Sequence, residues 1–293
     1  MRSSSHPPLV ERCRPLLGTT VAVRVGGLPA DEAHAAIDAA FQDVGLVHRL
    51  MSFQAPGSDV SRLNHAAQDG PVAVHPRTSD VLRWACALAA ASDGAFDVTV
   101  AAELVAWGTL PRPEGERAPD PRTSWRDIEV GADGRVRFHR RLWIDLSGIA
   151  KGYAVDLAVE RLLGRGAAQA CVNAGGDLRV AGRGCEHVLL RTDSPRAPAP
   201  AAMIELSNGS LASSSGRSHR RHVDGRRRRA VGGDGFVSVV AERCVVADGL
   251  TKAVLALGSR SGPLLSRYGA TAYAQSRHGL WRSFGVPATA GRA

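Results

Sequence analysis

Four short stretches of this chain concentrate residues that can do chemistry. In IDLSGIAKGYAVD, Asp145 closes an apolar strand, Gly148 follows three residues on, and Lys151 stands where a helical pattern begins. Glycines at 148 and 152 let a backbone come close to a ligand. A lysine beside the free N–H groups of a helix N-terminus suits a phosphate. The same spacing also fits a purely structural Asp–Lys pair.

In VNAGGDLRVAG, Gly175 and Gly176 can take positive φ and leave no side chain in the way. Asn173 and Asp177 are then placed to hydrogen-bond a planar heterocycle, or only the neighbouring backbone of a tight turn between strands. The chain has no GxGxxG, so a Rossmann dinucleotide fingerprint is not supported.

VVADGLTKAVLALG sets Asp248, Thr251 and Lys252 on one side of a helix, at i, i+3 and i+4. An Asp and a Thr hydroxyl so spaced can hold a hard cation such as Mg²⁺, which prefers oxygen ligands. An Asp248–Lys252 helix pair is the competing reading.

HRRHVDGRRRR offers His219, His222 and Asp224 among arginines. A histidine here can serve as a general base. A polybasic loop can bind nucleic acid, but no aromatics are interleaved and no recognition motif accompanies it.

The elements that must position these residues are legible in outline. Leu17–Val25 alternates and reads as a strand. Residues 31–48 read as a helix with Ile37, Phe41, Val44 and Val47 near one face. MSFQAPGSDVSRLN, 51–64, reads as a polar loop. Thr78-Ser79-Asp80 is a cap signal for a helix through Ala91, and GAFDVTVAAELVAWG an ordered turn into an apolar segment. Gly-Ala-Asp-Gly between Ile128–Val130 and Arg135–Phe138 signals a hairpin. A helix follows Lys151 and is capped near Gly164. Strands are expected at 170–173, 178–181 and 236–241, with a helix at 245–257 and Pro-rich loops at 109–124 and 191–201. Strands that pair locally, interrupted by helices, give an α+β fold with largely antiparallel sheets packed by helices.

Bulk properties narrow the class. A chain of 293 residues can bury a substantial core. Net charge is +9, which favours phosphate-bearing or acidic partners. Arg is abundant and Lys nearly absent, a bias read first as genome composition. Five cysteines with no CxxC spacing make neither a zinc site nor a disulfide framework. The N-terminus has no signal-peptide core and no stretch reaches membrane-span length, so a cytoplasmic location is expected, and a periplasmic one only if the true start site lies elsewhere.

Taken together, LLGTTVAV, MSFQAPGSDVSRLN, GAFDVTVAAELVAWG, IDLSGIAKGYAVD, VNAGGDLRVAG and VVADGLTKAVLALG resemble the successive blocks of the ApbE family, the FAD:protein FMN transferases. They come in the family's order and span roughly residues 16–258. The resemblance implies an ApbE-like (T-fold-like) domain over 16–284, with flexible segments at 1–15 and 285–293. It implies FAD contacts at Leu17, Phe53, Ala95, Phe96, Asp97, Asp145, Lys151, Asn173, Gly175, Gly176 and Asp177. It implies Mg²⁺ on the Gly148 carbonyl and Asp248 carboxylate with Thr251, and His222 as the candidate base. The activity implied is attack by a Thr or Ser hydroxyl of an acceptor flavoprotein on the FMN-side phosphate of FAD, with release of AMP.

The chain departs from the family pattern in three places. The family usually has Thr four residues after the metal Asp, and here that residue is Lys252. Its usual aromatic in the MS block is Gln54, with Phe53 adjacent. HVDGRRRR is short and lacks the expected proline. These departures motivate an alternative: a non-transferring FAD-binding protein, or an FAD hydrolase, on the same fold. Nucleic-acid binding through the arginine loop is a third and weaker expectation.

Overall fold

The structure is a computed structural model, and it describes residues 9–190, 202–216, 222–231, 235–275 and 280–286. The 191–201 loop, His219 and the extreme termini lie outside the described residues.

In chain order the elements are β1 (Val10–Leu16), β2 (Thr19–Gly26), α1 (Ala30–Met51), α2 (Asp59–Ala66), β3 (Val72–Ala73), α3 (Pro76–Ala91) and α4 (Ala101–Ala106). Then come β4 (Ile128–Val130), β5 (Arg135–Phe138), α5 (Ala150–Gly164), β6 (Gln169–Ala174), β7 (Asp177–Gly182), β8 (Glu186–Leu190) and β9 (Ala202–Leu206). The chain continues through β10 (Gly209–Ser215), β11 (Val223–Asp224), β12 (Arg229–Ala230), β13 (Phe236–Ala241), α6 (Cys244–Leu257), α7 (Gly262–Arg267), β14 (Thr271–Gln275) and β15 (Trp281–Gly285).

The frame is one eight-stranded antiparallel sheet in the order β1-β2-β6-β7-β10-β13-β14-β15. Its central strands are buried on both faces. On β6, Ala170, Val172 and Ala174 join the main core with Val21, Val23 and Val25 of β2. Cys171 points the other way, into a smaller core with Leu178, Val180, Ile204 and Leu211. That two-sided burial explains why β6 reads as a continuous apolar run rather than an alternating one. Helices α1, α5 and α6 cover the first face, and the β8–β9 hairpin covers the second.

Three local readings need correction. The chain pairs from Val10 onward, because β1 zips antiparallel against β2 from Val10↔Val25 to Leu16↔Thr19. The N-terminal segment expected to be flexible is thus partly a strand. The 51–64 loop contains the start of α2, whose N-cap Ser58 accepts a hydrogen bond from Ser61 N at 3.0 Å. The cap signal at Thr78 also shifts: α3 starts at Pro76 with His75 as its cap, and Thr78 Oγ1 donates instead to buried Asp59 at 2.6 Å.

Two devices fix α6 against α5. Asp156, fully buried on α5, accepts from Cys244 N at 2.9 Å and Val245 N at 3.0 Å, satisfying orphan donors of the α6 first turn. Gly152 lets the helices touch. A Cβ there would lie 2.8 Å from Asp248 Cβ and run into the Cys244 carbonyl.

Candidate active site

A cavity of about 450 Å³ opens where the β1–β2 turn, the end of α1, the 96–100 turn, the start of α5, the end of β10 and α6 converge. Of the residues implied by sequence, Leu17, Phe53, Phe96, Asp97, Asp145, Gly148, Lys151 and His222 line it, and Lys252 does so too. Leu17 holds φ 56 and Gly18 φ 70 in the β1–β2 turn. A leucine in the left-handed region is strained, and such strain is kept where the surrounding structure uses it. Here it puts Leu17 on the cavity wall.

Asp145 sits just before α5. Its Oδ1 accepts from Ser147 N at 3.0 Å and its Oδ2 from Ser147 Oγ at 2.6 Å, which orients the carboxylate at the cavity edge. Asp97 is also spoken for locally. Its Oδ1 accepts from Thr99 N and Thr99 Oγ1, both at 2.8 Å, and its Oδ2 from Trp125 N at 3.1 Å. Burial raises the Asp97 pKa against those donors.

Lys151 rises from the first turn of α5 to Asp177, Nζ to Oδ2 at 2.6 Å. Burial alone would lower its pKa, but the Asp177 and Asp248 charges outweigh it and raise it. Asp177 is 1 % exposed, and burial together with nearby Asp248 raises its pKa despite Lys151.

On α6, Asp248 is fully buried. Its Oδ2 accepts from Gly152 N at 3.0 Å, and its Oδ1 is ion-paired to Lys252 Nζ. Lys252 Nζ also donates to the Asp248 carbonyl at 3.1 Å. Burial would raise the Asp248 pKa, but Lys252 and Lys151 prevail and lower it, so it is a carboxylate. His222 enters on the strand-like segment before β11. Burial, then the Lys252 charge, lowers its pKa to about 4, leaving a neutral imidazole at ordinary pH.

The remaining sequence expectations fall elsewhere. Ala95 is fully buried, outside the residues that line the cavity, and its carbonyl accepts from Gly225 N at 3.2 Å. Gly175 (φ 64) and Gly176 (φ 101) form the two-residue β6–β7 turn, with Asn173 Oδ1 accepting from Gly176 N at 2.9 Å. This turn packs on Thr19, where a Gly175 Cβ would lie 3.0 Å from Thr19 Cβ. Asn173, Gly175 and Gly176 thus serve the hairpin. Only Asp177 reaches the site, from beneath, through Lys151.

The donor set expected for Mg²⁺ does not close. Thr251 is fully buried, and its Oγ1 donates back to the Asp248 carbonyl at 2.7 Å and meets Ser214 Oγ at 2.8 Å. One Asp248 oxygen faces an ammonium and the other an amide. The Lys252 stem passes over Gly148, where a Cβ would lie 3.5 Å from Lys252 Cε. These residues do not fit a divalent ion as they stand.

The sequence reading did not single out Ser213, Ser214 and Ser215, which line the cavity at the end of β10. A run of three hydroxyls at a strand end was the available signal. The arginine loop is partly turned inward. Arg228 donates to Thr99 O at 2.9 Å and Thr99 Oγ1 at 2.7 Å, and Arg226 pairs with Asp224. That removes two cations from any outward polyanion-binding face.

The model of the ApbE family matches residues 17–273. The chain belongs to the ApbE family. Among curated relatives it is 28% identical to the FAD:protein FMN transferase of Haemophilus influenzae over 83% of this chain and 79% of that one. It is 26% identical to the protein of the same name from Vibrio cholerae, over 74% and 71%. The solved ApbE protein of Thermotoga maritima superposes with TM-score 0.82 at 25% identity, over 94% of this chain and 97% of that one. The apo flavinyl transferase ApbE of Pseudomonas stutzeri gives TM-score 0.82 at 24% identity, over 96% of each. The fold is the ApbE α+β fold, and the protein is an enzyme of the transferase class.

Proposed function

We propose that this ApbE-family protein transfers FMN from FAD to a Thr or Ser hydroxyl of an acceptor protein and releases AMP. The observation that carries the reading is the convergence on one cavity of a neutral imidazole, His222, with two ammonium groups, Lys151 and Lys252. Transfer of this kind needs a base for the attacking hydroxyl and positive charge on the phosphates, and little else beyond positioning.

The parts divide the work. Leu17, Phe53 and Phe96 give an apolar wall suited to the flavin. Asp145, oriented by Ser147, and the Ser213–Ser215 strand end offer polar partners. Lys151 is pre-positioned by Asp177, so its charge is in place before substrate arrives. His222 takes the proton of the attacking hydroxyl. No helix among the described residues is long and apolar enough to cross a membrane.

The test is one incubation of the purified protein with FAD and a protein carrying an acceptor Thr or Ser. AMP released in step with covalent flavin fluorescence on the acceptor is the expected result. AMP without labelled protein would indicate hydrolysis. Intact FAD in every condition, with a competent acceptor present, would overturn the reading.

A further inference from the structure

The chain contains 37 lysines and arginines, and only Lys151 and Lys252 are lysines. Both line the same cavity. The other 35 of these positions are Arg, so these two places call for what Arg does not supply. A compact ammonium is a point charge on a flexible stem, whereas a guanidinium is a wide planar fork.

Lys252 is the more constrained of the two. Its side chain is 15% exposed. The helical i,i+4 relation holds its Nζ against Asp248 Oδ1, and the Asp248 carbonyl takes a second N–H. An ammonium has three donors. Among the described residues nothing takes the third, which is left for a ligand in the cavity that Lys252 lines. The Asp248 oxygen that would ligate a metal is the oxygen this ammonium occupies. Thr251, the hydroxyl one residue before, is turned away to Ser214.

We propose that the Lys252 ammonium, held on Asp248, is the built-in cation of this active site and does the phosphate-neutralising work for which a flavin transferase would otherwise recruit a divalent metal. The proposal rests on the FMN-transfer reading. The acceptor oxygen bonds to the FMN-side phosphorus, and the bond from that phosphorus to the bridging oxygen breaks. The bridging oxygen leaves as part of AMP, and the hydroxyl proton passes to His222. Lys252 stays protonated throughout and is regenerated unchanged. It offsets the charge that gathers on the bridging and non-bridging oxygens as the bond breaks.

The experiment compares the wild type and Lys252→Thr in excess EDTA and in millimolar Mg²⁺, with three readouts. The first is AMP release with a Thr-bearing acceptor. The second is FAD affinity, read by quenching of flavin fluorescence. The third is binding of Mn²⁺ alone, read by electron paramagnetic resonance. The wild type is expected to release AMP at rates within about twofold in the two media. Lys252→Thr should fall about a hundredfold in EDTA, the scale of losing one charge-stabilising donor. It should recover in Mg²⁺ and bind one Mn²⁺ that the wild type does not.

Wild-type AMP release abolished by EDTA and restored by Mg²⁺ would overturn the proposal. If no AMP forms in any medium, the FMN-transfer reading fails, and the other two readouts still decide the role of Lys252. Wild-type FAD affinity unchanged by Mg²⁺ and no bound Mn²⁺ would support it. Stoichiometric Mn²⁺ on the wild type, lost in Asp248→Asn, would overturn it.

Discussion

The backbone N–H of Gly152 donates to Oδ2 of Asp248 at 3.0 Å, joining α5 to α6 across 96 residues of sequence. The bond is possible because Gly152 has no Cβ to meet the Cys244 carbonyl and the Asp248 side chain. Among the described residues, the other Asp248 oxygen meets Lys252 alone.

Gly152→Ala should therefore push the two helices apart. Overpacking at such a contact costs about 1–3 kcal/mol. A lower urea midpoint with an unchanged m-value is expected, together with loss of AMP release. A variant as stable and as active as the wild type would show that the contact is loose.

Asp248→Asn keeps an oxygen for the Gly152 amide but removes the charge that holds Lys252. The circular dichroism spectrum should be unchanged, and turnover of FAD should drop about a hundredfold. Retained turnover would show that Lys252 is placed by its stem packing rather than by the ion pair.

Lys151→Met strands Asp177, which is 1 % exposed, without its partner. Leaving a buried charge unpaired costs about 3 kcal/mol, at the low end for such pairs because Lys151 is partly exposed. The Asp177 pKa is already raised in the folded state, so folded Asp177 binds its proton more readily than unfolded Asp177. Its contribution is therefore best at low pH and is lost as pH rises through the folded pKa. Without Lys151 the folded pKa climbs further. The denaturation midpoint of the variant should fall more at pH 7.5 than at pH 5, and an equal fall at both would contradict this.

His222 has a pKa lowered to about 4, so it stays neutral and able to accept a proton well below the ordinary histidine range. The acid limb of kcat should lie near pH 4 to 5 rather than near 6.5, and His222→Gln should remove it. The sign for stability is the opposite of a helpful histidine. The unfolded chain protonates His222 between 6.5 and 4 while the folded chain does not, so stability falls as pH falls through that window. The His222→Gln variant should lose less stability than the wild type between pH 7 and pH 4.5.

Leu17→Gly relieves a left-handed leucine at φ 56. Relief of about 1 kcal/mol is expected on thermal melting. The cost should appear as a higher KM for FAD, because the leucine side chain leaves the cavity wall. A lowered melting midpoint would mean that the packing of Leu17 outweighs its strain.

Much of the site was legible in local sequence. Asp145, Gly148 and Lys151 are brought to one cavity edge by the strand-end-to-helix transition that IDLSGIAKG encodes. Leu17 and Phe96 line the same cavity. Some residue patterns suit two jobs at once. Asn-Ala-Gly-Gly-Asp is what a two-residue turn with two positive φ angles requires, and the turn absorbs Asn173, Gly175 and Gly176. The arginine loop looked like a polyanion surface, but Arg228 is used to tie the loop to Thr99.

The sequence alone settled whatever depends on helix and strand period. Asp248 and Lys252 stand four apart on a helix, and a helix puts such residues within reach of each other whatever surrounds it. It signalled the hairpin at Gly-Ala-Asp-Gly, because such turns select their residues by backbone angle. The tertiary structure decided what depends on pairs distant in the chain. Lys151 meets Asp177, Gly152 meets Asp248, and His222 comes under the charge of Lys252 only when the eight-stranded sheet brings the ends of β7 and β10 beside α5 and α6. Local periodicity carries no information about such closures, and burial, which sets the charge state of each of these groups, exists only once they have formed.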